Sequence, residues 1–211
     1  KVIYDAAHAF GVNCHCGSVL NHGDLSVLSF HATKVFNTFE GGAIICPDAE
    51  TKAEIDHLKN FGFSGETTVI ATGINGKMSE FNAALGLLQL KYMDQAILQR
   101  KAVDETYRQV LDAVDGIHCL TRSAALHANY AYFPILVDDN YPLSRDALYD
   151  QLKFQGVHPR RYFYPLISEF PMYQGLSSAH SGLLPVASRA AEQILCLPIY
   201  PDLPLDKVEE I

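Results

Sequence analysis

Leu25-Ser26-Val27-Leu28-Ser29-Phe30-His31-Ala32-Thr33-Lys34, followed after four residues by Phe39-Glu40-Gly41-Gly42-Ala43-Ile44-Ile45-Cys46, is the stretch on which the fold turns. Residues 25–30 and 42–46 are short apolar runs, the second closed by Pro47. A third run, Lys1-Val2-Ile3-Tyr4-Asp5, lies upstream and ends in an acid. Brief apolar runs bounded by Gly and Pro predict buried strands of an α/β sheet. The paired glycines allow a tight turn or a close backbone approach.

Outward from this core, Asp48 is placed to cap a helix over roughly 49–60. Residues 64–76, rich in Gly, Thr and Ser, read as a loop. Ser79 opens a long helical pattern in which Phe81, Leu85, Leu88 and Tyr92 recur at helical spacing, running to about 114 with room for a bend. After Gly116 the texture changes. Tyr130–Val137 alternates as a strand does, Ser144–Gln155 reads as a helix stopped by Gly156, Val157–Tyr164 is a second strand candidate, and Pro185–Gln193 starts with Pro as helices often do. The expectation is a larger α/β part over residues 1–113 and a small α+β domain over 114–211. The N-terminus begins as a strand already under way and the C-terminus stops at a helix barely begun, so the expectation is also of a piece of a longer chain.

The chain has 211 residues, a net charge of -8 and 48% hydrophobic residues. That composition supports a folded core and lacks the basic face of a nucleic-acid binder. No apolar run reaches membrane-spanning length. Five scattered cysteines are too few for a disulfide framework and fit a cytoplasmic protein with reduced thiols.

Certain residues have the chemistry of a site. Asp5 ends a strand, where open α/β sheets bind ligands, though an acid there also suits a helix cap. Lys34 follows the next strand, and a lysine near a buried sheet edge loses its proton more readily than one in water, which is what Schiff-base chemistry needs, though a single lysine after a strand is more often a solvated loop residue. Cys14-His15-Cys16 hints at a metal, but no second pair stands at zinc spacing, so no metal is expected. His22, His57, His118, His127 and His158 show no partner in the sequence. Tyr162 and Tyr164 either line a pocket or pack beside Pro165.

Taken together, Asp5-x-x-His8, Ser29-Phe30-x-x-x-Lys34 and Glu40-Gly41-Gly42, in this order, resemble the DegT–StrS family of sugar aminotransferases. Gly73-Ile74-Asn75-Gly76-Lys77-Met78-Ser79-Glu80, Ala83 to Leu90, Arg161 to Leu166 and the Leu184-to-Pro198 region also match that family in type and order, so the likeness spans nearly the whole chain. The resemblance implies the aspartate-aminotransferase-like fold of type I pyridoxal-phosphate (PLP) enzymes, here the latter part of its large domain and the small C-terminal domain. It implies a homodimer with shared active sites. Lys34 would carry PLP, Asp5 would pair with the pyridinium nitrogen, His8 would contact the ring and Ser29 the cofactor phosphate. Asn75 would reach the partner subunit's cofactor. Tyr162 and Tyr164 would belong near the sugar.

The implied reaction moves an amino group from glutamate to a nucleotide-linked keto-deoxysugar in the cytoplasm. The Asn75-Gly76-Lys77-Met78 variant most resembles enzymes acting on dTDP-4-keto-6-deoxyglucose, as in lipopolysaccharide O-antigen biosynthesis. Lys77 departs from the family's usual Arg, keeping the charge and losing the bidentate fork. The family's first half, with its phosphate-binding turn, is not in this sequence. Two rivals remain: a sugar dehydratase on the same fold, which has His where this chain has Lys34, and a non-catalytic relative, which has no chemical need for Asp5, Ser29 and Lys34 together.

Overall fold

The computed structural model describes all 211 residues. In chain order the strands and helices are β1 (Ile3–Asp5), β2 (Asn13–Cys14), β3 (Gly17–Ser18), β4 (Leu25–Ser29), β5 (Gly42–Ile45), α1 (Ala49–Leu58), β6 (Phe63–Ser64), β7 (Thr68–Val69), α2 (Glu80–Gln89) and α3 (Met93–Leu111). There follow β8 (Ile117–Cys119), β9 (Leu126–His127), β10 (Phe133–Val137), α4 (Arg145–Phe154), α5 (Pro185–Gln193), β11 (Ile194–Leu197) and α6 (Leu205–Glu210). The chain forms two compact units: Lys1–Ile97 with Ser123–Ala131, and Leu98–Arg122 with Tyr132–Ile211.

In the first unit β4 is the centre of a three-stranded sheet. It runs parallel to β1, with Asp5 opposite Val27, and antiparallel to β5, with Ser29 opposite Gly42. Asp24 fastens the start of β1 by accepting the Val2 amide and pairing with Lys1. Because β1 and β4 are parallel, Asp5 and Ser29 leave the sheet at the same edge, the carboxyl ends of the strands. Below that edge Ala6, Leu28, Phe30, Phe36 and Met93 form a core. Phe10 stacks on Phe36 at 4.3 Å between ring centroids, and Phe30 meets Phe36 edge-on at 4.8 Å.

Helix starts follow their cap residues. Asp48 accepts the Thr51 amide, Ser79 that of Asn82 and Ser144 that of Ala147, while Pro185 opens α5. The long pattern after Ser79 is divided: a tight 3₁₀ turn at Leu90–Tyr92 separates α2 from α3. The stretch expected to be a loop at 64–76 contains part of a short ribbon, β6 paired with β7.

The second unit is built on an antiparallel sheet ordered β11-β10-β8. Phe133, Ile135 and Val137 alternate inward along β10, packing with Val103, Tyr107, Leu148, Leu152 and Leu195. The Tyr107 hydroxyl donates to the Pro198 carbonyl at 3.0 Å, so this buried ring does not strand its polar atom. The strand expected at 157–164 does not form. Pro159 and Pro165 cannot donate to a ladder, and a single bridge from Arg160 to Cys196 is what remains. The ladder position goes instead to Ile194–Leu197, which follows α5 without a punctuating residue.

Candidate active site

The turn that carries Lys34 is fixed at both ends before any polar group is considered. Phe30 precedes it and Phe36 follows it, and both rings are buried. The Lys34 amide closes the turn on the His31 carbonyl at 2.9 Å, and the Thr38 amide returns to the Phe30 carbonyl at 2.9 Å. The Gly41-Gly42 pair then brings β5 back. A Cβ on Gly41 would lie 2.5 Å from Thr38 Oγ1 and 2.7 Å from Met78 Sδ, and one on Gly42 would lie 2.7 Å from the Leu28 carbonyl oxygen. These glycines are required because the neighbouring atoms occupy the space a side chain would take. Asn82 and Thr38 both donate to the Glu40 carbonyl, which holds the loop closed from the α2 side.

At the strand ends the polar groups converge. Lys34 Nζ lies 3.1 Å from His8 Nε2. Burial, then the positive charge of Lys34, hold the His8 imidazole below its ordinary pKa, and the Asp5 carboxylate opposes them. A neutral His8 can accept a hydrogen bond from the Lys34 amine. Asp5 uses one oxygen to accept the Ala7 amide at 3.1 Å, so it caps the turn after β1 and still presents a carboxylate beside His8. Ser29 Oγ accepts the His31 amide at 3.3 Å, leaving its own proton to donate elsewhere. His31 Nδ1 and Glu40 Oε1 pair at 2.8 Å at the rim.

Not every residue singled out in the sequence joins this group. Asn75 is exposed, in a segment bridged through its backbone to Asn60, and Lys77 Nζ donates to Asn60 Oδ1 at 2.8 Å. Tyr162 and Tyr164 belong to the second unit. Tyr162 packs against Tyr132 and Phe163, and the Tyr164 ring lies 4.8 Å from the Arg145 guanidinium. Arg145 is itself buried and donates to the Ala191 and Ile194 carbonyls, so it ties α4 to the end of α5.

Three residues matter more than the sequence indicated. Asn129 is 6% exposed and its amide donates to both the His8 and Phe10 carbonyls at 2.8 Å. It positions the loop that presents His8, from 121 residues away in the chain, and a lone Asn among alanines and tyrosines gives no local sign of that. His118, which the sequence left without a partner, pairs with Asp138 at 2.6 Å across β8 and the end of β10. His22 was also unpartnered in the sequence, yet its Nε2 lies 3.7 Å from Cys14 Sγ and 3.6 Å from Cys16 Sγ, two sulfurs joined as a disulfide where reduced thiols were expected.

The donor set suits an aldehyde cofactor with an anionic tail and a ring nitrogen: a primary amine, a carboxylate, an imidazole and a serine hydroxyl at one sheet edge. The fold and this group define an α/β protein organised around a strand-end lysine. The match to known proteins is specific: the model of the DegT/DnrJ/EryC1/StrS aminotransferase family covers residues 1–211, and the chain belongs to that family. It is 53% identical over 211 residues to the dTDP-4-amino-4,6-dideoxy-D-glucose transaminase of Shigella dysenteriae, covering 100% of this chain and 57% of that protein. It is 53% identical over 204 residues to the Escherichia coli transaminase of the same name, covering 96% and 55%. Among solved structures, DesI in the presence of its TDP-sugar product superposes with a TM-score of 0.89 at 34% identity, covering 100% of this chain and 53% of DesI. The fold is thus that of the sugar aminotransferases, and the chain spans little more than half the length of these relatives. No helix is long and apolar enough to cross a membrane.

Proposed function

We propose that this chain contributes the lysine-bearing part of a PLP-dependent aminotransferase that interconverts dTDP-4-keto-6-deoxyglucose and its 4-amino derivative, with glutamate as the amino donor. The observation that carries the reading is Lys34 Nζ at 3.1 Å from His8 Nε2, with Asp5 at the end of the adjoining parallel strand. PLP, when bound, supplies an aldehyde that links to amines and a ring that takes up electrons. Lys34 would attach it, and once freed would hold and move a proton at the reacting carbon. The Asp5 carboxylate would keep the ring nitrogen protonated by favouring positive charge beside it. His8 would lie against the ring and accept from the Lys34 amine. Ser29 would donate to the phosphate.

The substrate class rests on relatives. Two transaminases named for the dTDP-linked aminosugar share 53% of their matched residues with this chain, and DesI is described with a TDP-sugar. The same reading has Asn75 reach a second subunit's cofactor in a homodimer, Tyr162 and Tyr164 contribute to the sugar side, and the enzyme work in the cytoplasm on a sugar for lipopolysaccharide O-antigen. Its support for a shared site is that Asn75 is exposed.

The test supplies the full-length protein and glutamate with either dTDP-4-keto-6-deoxyglucose or a panel of free keto acids, and follows 2-oxoglutarate release. Turnover with the nucleotide sugar is expected. Turnover with keto acids and with no nucleotide keto-sugar would overturn the substrate class. Borohydride reduction and peptide mapping should leave the pyridoxyl group on Lys34; finding it on another lysine would overturn the site.

A further inference from the structure

We infer that Cys14, Cys16 and His22 form a binding site for a thiophilic divalent cation, zinc, that opens when the Cys14–Cys16 disulfide is reduced. The three ligand atoms lie within 4.8 Å of one another, and all three residues are at least partly exposed. Two edges of the coordination shell are already in place. Zinc–sulfur bonds of about 2.3 Å and zinc–nitrogen bonds of about 2.0–2.1 Å in a tetrahedron set sulfur and nitrogen about 3.6 Å apart. The Sγ–Nε2 separations here are 3.7 and 3.6 Å. The third edge, sulfur to sulfur, is the covalent bond that reduction breaks.

The frame around these atoms is local and well tied. β2 and β3 make a hairpin with Cys14 opposite Gly17, so His15 and Cys16 are its tip. β9 pairs with the other side of β2 through Asn13–His127 and Cys14–Leu126. Ser18 caps the following 3₁₀ turn at Val19–Asn21, and the His22 amide bonds the Val19 carbonyl, which fixes where the imidazole leaves the chain. Two thiolates and an imidazole favour soft and borderline metals over magnesium or calcium. Three protein ligands leave a fourth position for water.

The chemistry balances. A dithiol donates two electrons and two protons to the disulfide, yielding two protein thiols and becoming a disulfide itself. Zinc then displaces the two thiol protons to solvent as it binds. The oxidised form offers no thiolate and so no site.

The test reduces the full-length protein with a phosphine, removes the reductant without air, and titrates Co²⁺ as a spectroscopic substitute for zinc. The expected result is one equivalent bound with thiolate-to-cobalt charge-transfer absorption and tetrahedral visible bands, both abolished by Zn²⁺. Cys16→Ser and His22→Gln should each weaken binding by more than about 100-fold, beyond what loss of an outer-shell partner costs. Cys46→Ser, a control at a free thiol, should leave the titration unchanged. Binding without the charge-transfer band, or binding undiminished in both Cys16→Ser and His22→Gln, overturns the site. So does equal binding by the oxidised protein.

Discussion

Replacing Asn129 by Ala tests whether the His8 loop is held from a distance. Asn129 is buried and gives two hydrogen bonds of 2.8 Å, one to each of the His8 and Phe10 carbonyls. A net bond contributes about 0.5–1.5 kcal/mol, so the two together reach about 3 kcal/mol at the upper end. Local stability of this kind appears as protection of amides from exchange. The Ala9 and Val12 amides bond within the same loop, to the Ala6 carbonyl at 2.9 Å and the Ala9 carbonyl at 3.1 Å. A loss of about 3 kcal/mol should speed their exchange roughly 100-fold, since about 1.4 kcal/mol is a factor of ten. The Leu195 amide, in the other unit, should be unchanged. His8 should respond as well: freed from burial and from Lys34, its pKa should rise toward the ordinary value of about 6.5. A histidine whose folded pKa is depressed adds stability above the unfolded pKa and loses it as pH falls below, and Asn129→Ala should flatten that fall. Exchange of Ala9 and Val12 within about threefold of wild type, a change smaller than about 1 kcal/mol, would refute the staple.

Three further outcomes are expected. Asp5→Asn should nearly abolish transamination in the full-length protein while changing stability by about 1 kcal/mol or less, the worth of a cap; near-normal turnover would leave only the Ala7 bond as its role. Gly41→Ala should destabilise by about 2–4 kcal/mol in urea unfolding, because the new methyl meets Thr38 and Met78 at a φ of +154 where side chains are rarely accepted; a loss below about 0.5 kcal/mol would show that the loop yields freely. Burial pushes the Cys196 thiol up to about 11, so at pH 8 an aromatic disulfide reagent should modify Cys46 well before Cys196; equal rates in native protein would contradict that.

What the sequence disclosed was local. Asp48, Ser79, Ser144 and Pro185 mark helix starts because a cap or a fixed φ acts within one turn of its own position. β4 and β5 were visible because the runs that form them are short and apolar, the second opened by Gly42 and closed by Pro47. Lys34 and Asp5 could be paired because each ends or follows such a run. Contacts between residues far apart in the chain leave no such trace. Asn129 reaches back 121 residues to His8, and His22 meets two sulfurs only after a hairpin and a 3₁₀ turn fold it inward. Val157–Tyr164 misled because its aromatic residues suit a strand while Pro159 inside it removes a ladder donor and Pro165 stands directly after it. The two-residue strands β2, β3 and β9 were too short to show any alternation.

The return of Ser123–Ala131 to the first unit sets an order of events during synthesis. Once Ile97 has been made, roughly 34 more residues are needed before the last of the unit exists. At about 5–20 residues per second the ribosome supplies them in about 2–7 s. Through that interval Phe10 and Phe36 can already stack, since both precede Ile97, but β2 lacks its β9 neighbour and the His8 carbonyl lacks its donor. A nascent chain paused between these two points would therefore hold a formed aromatic core beneath an unpinned loop, a state open to proteases at residues 6–12 and closed to them once residue 129 arrives.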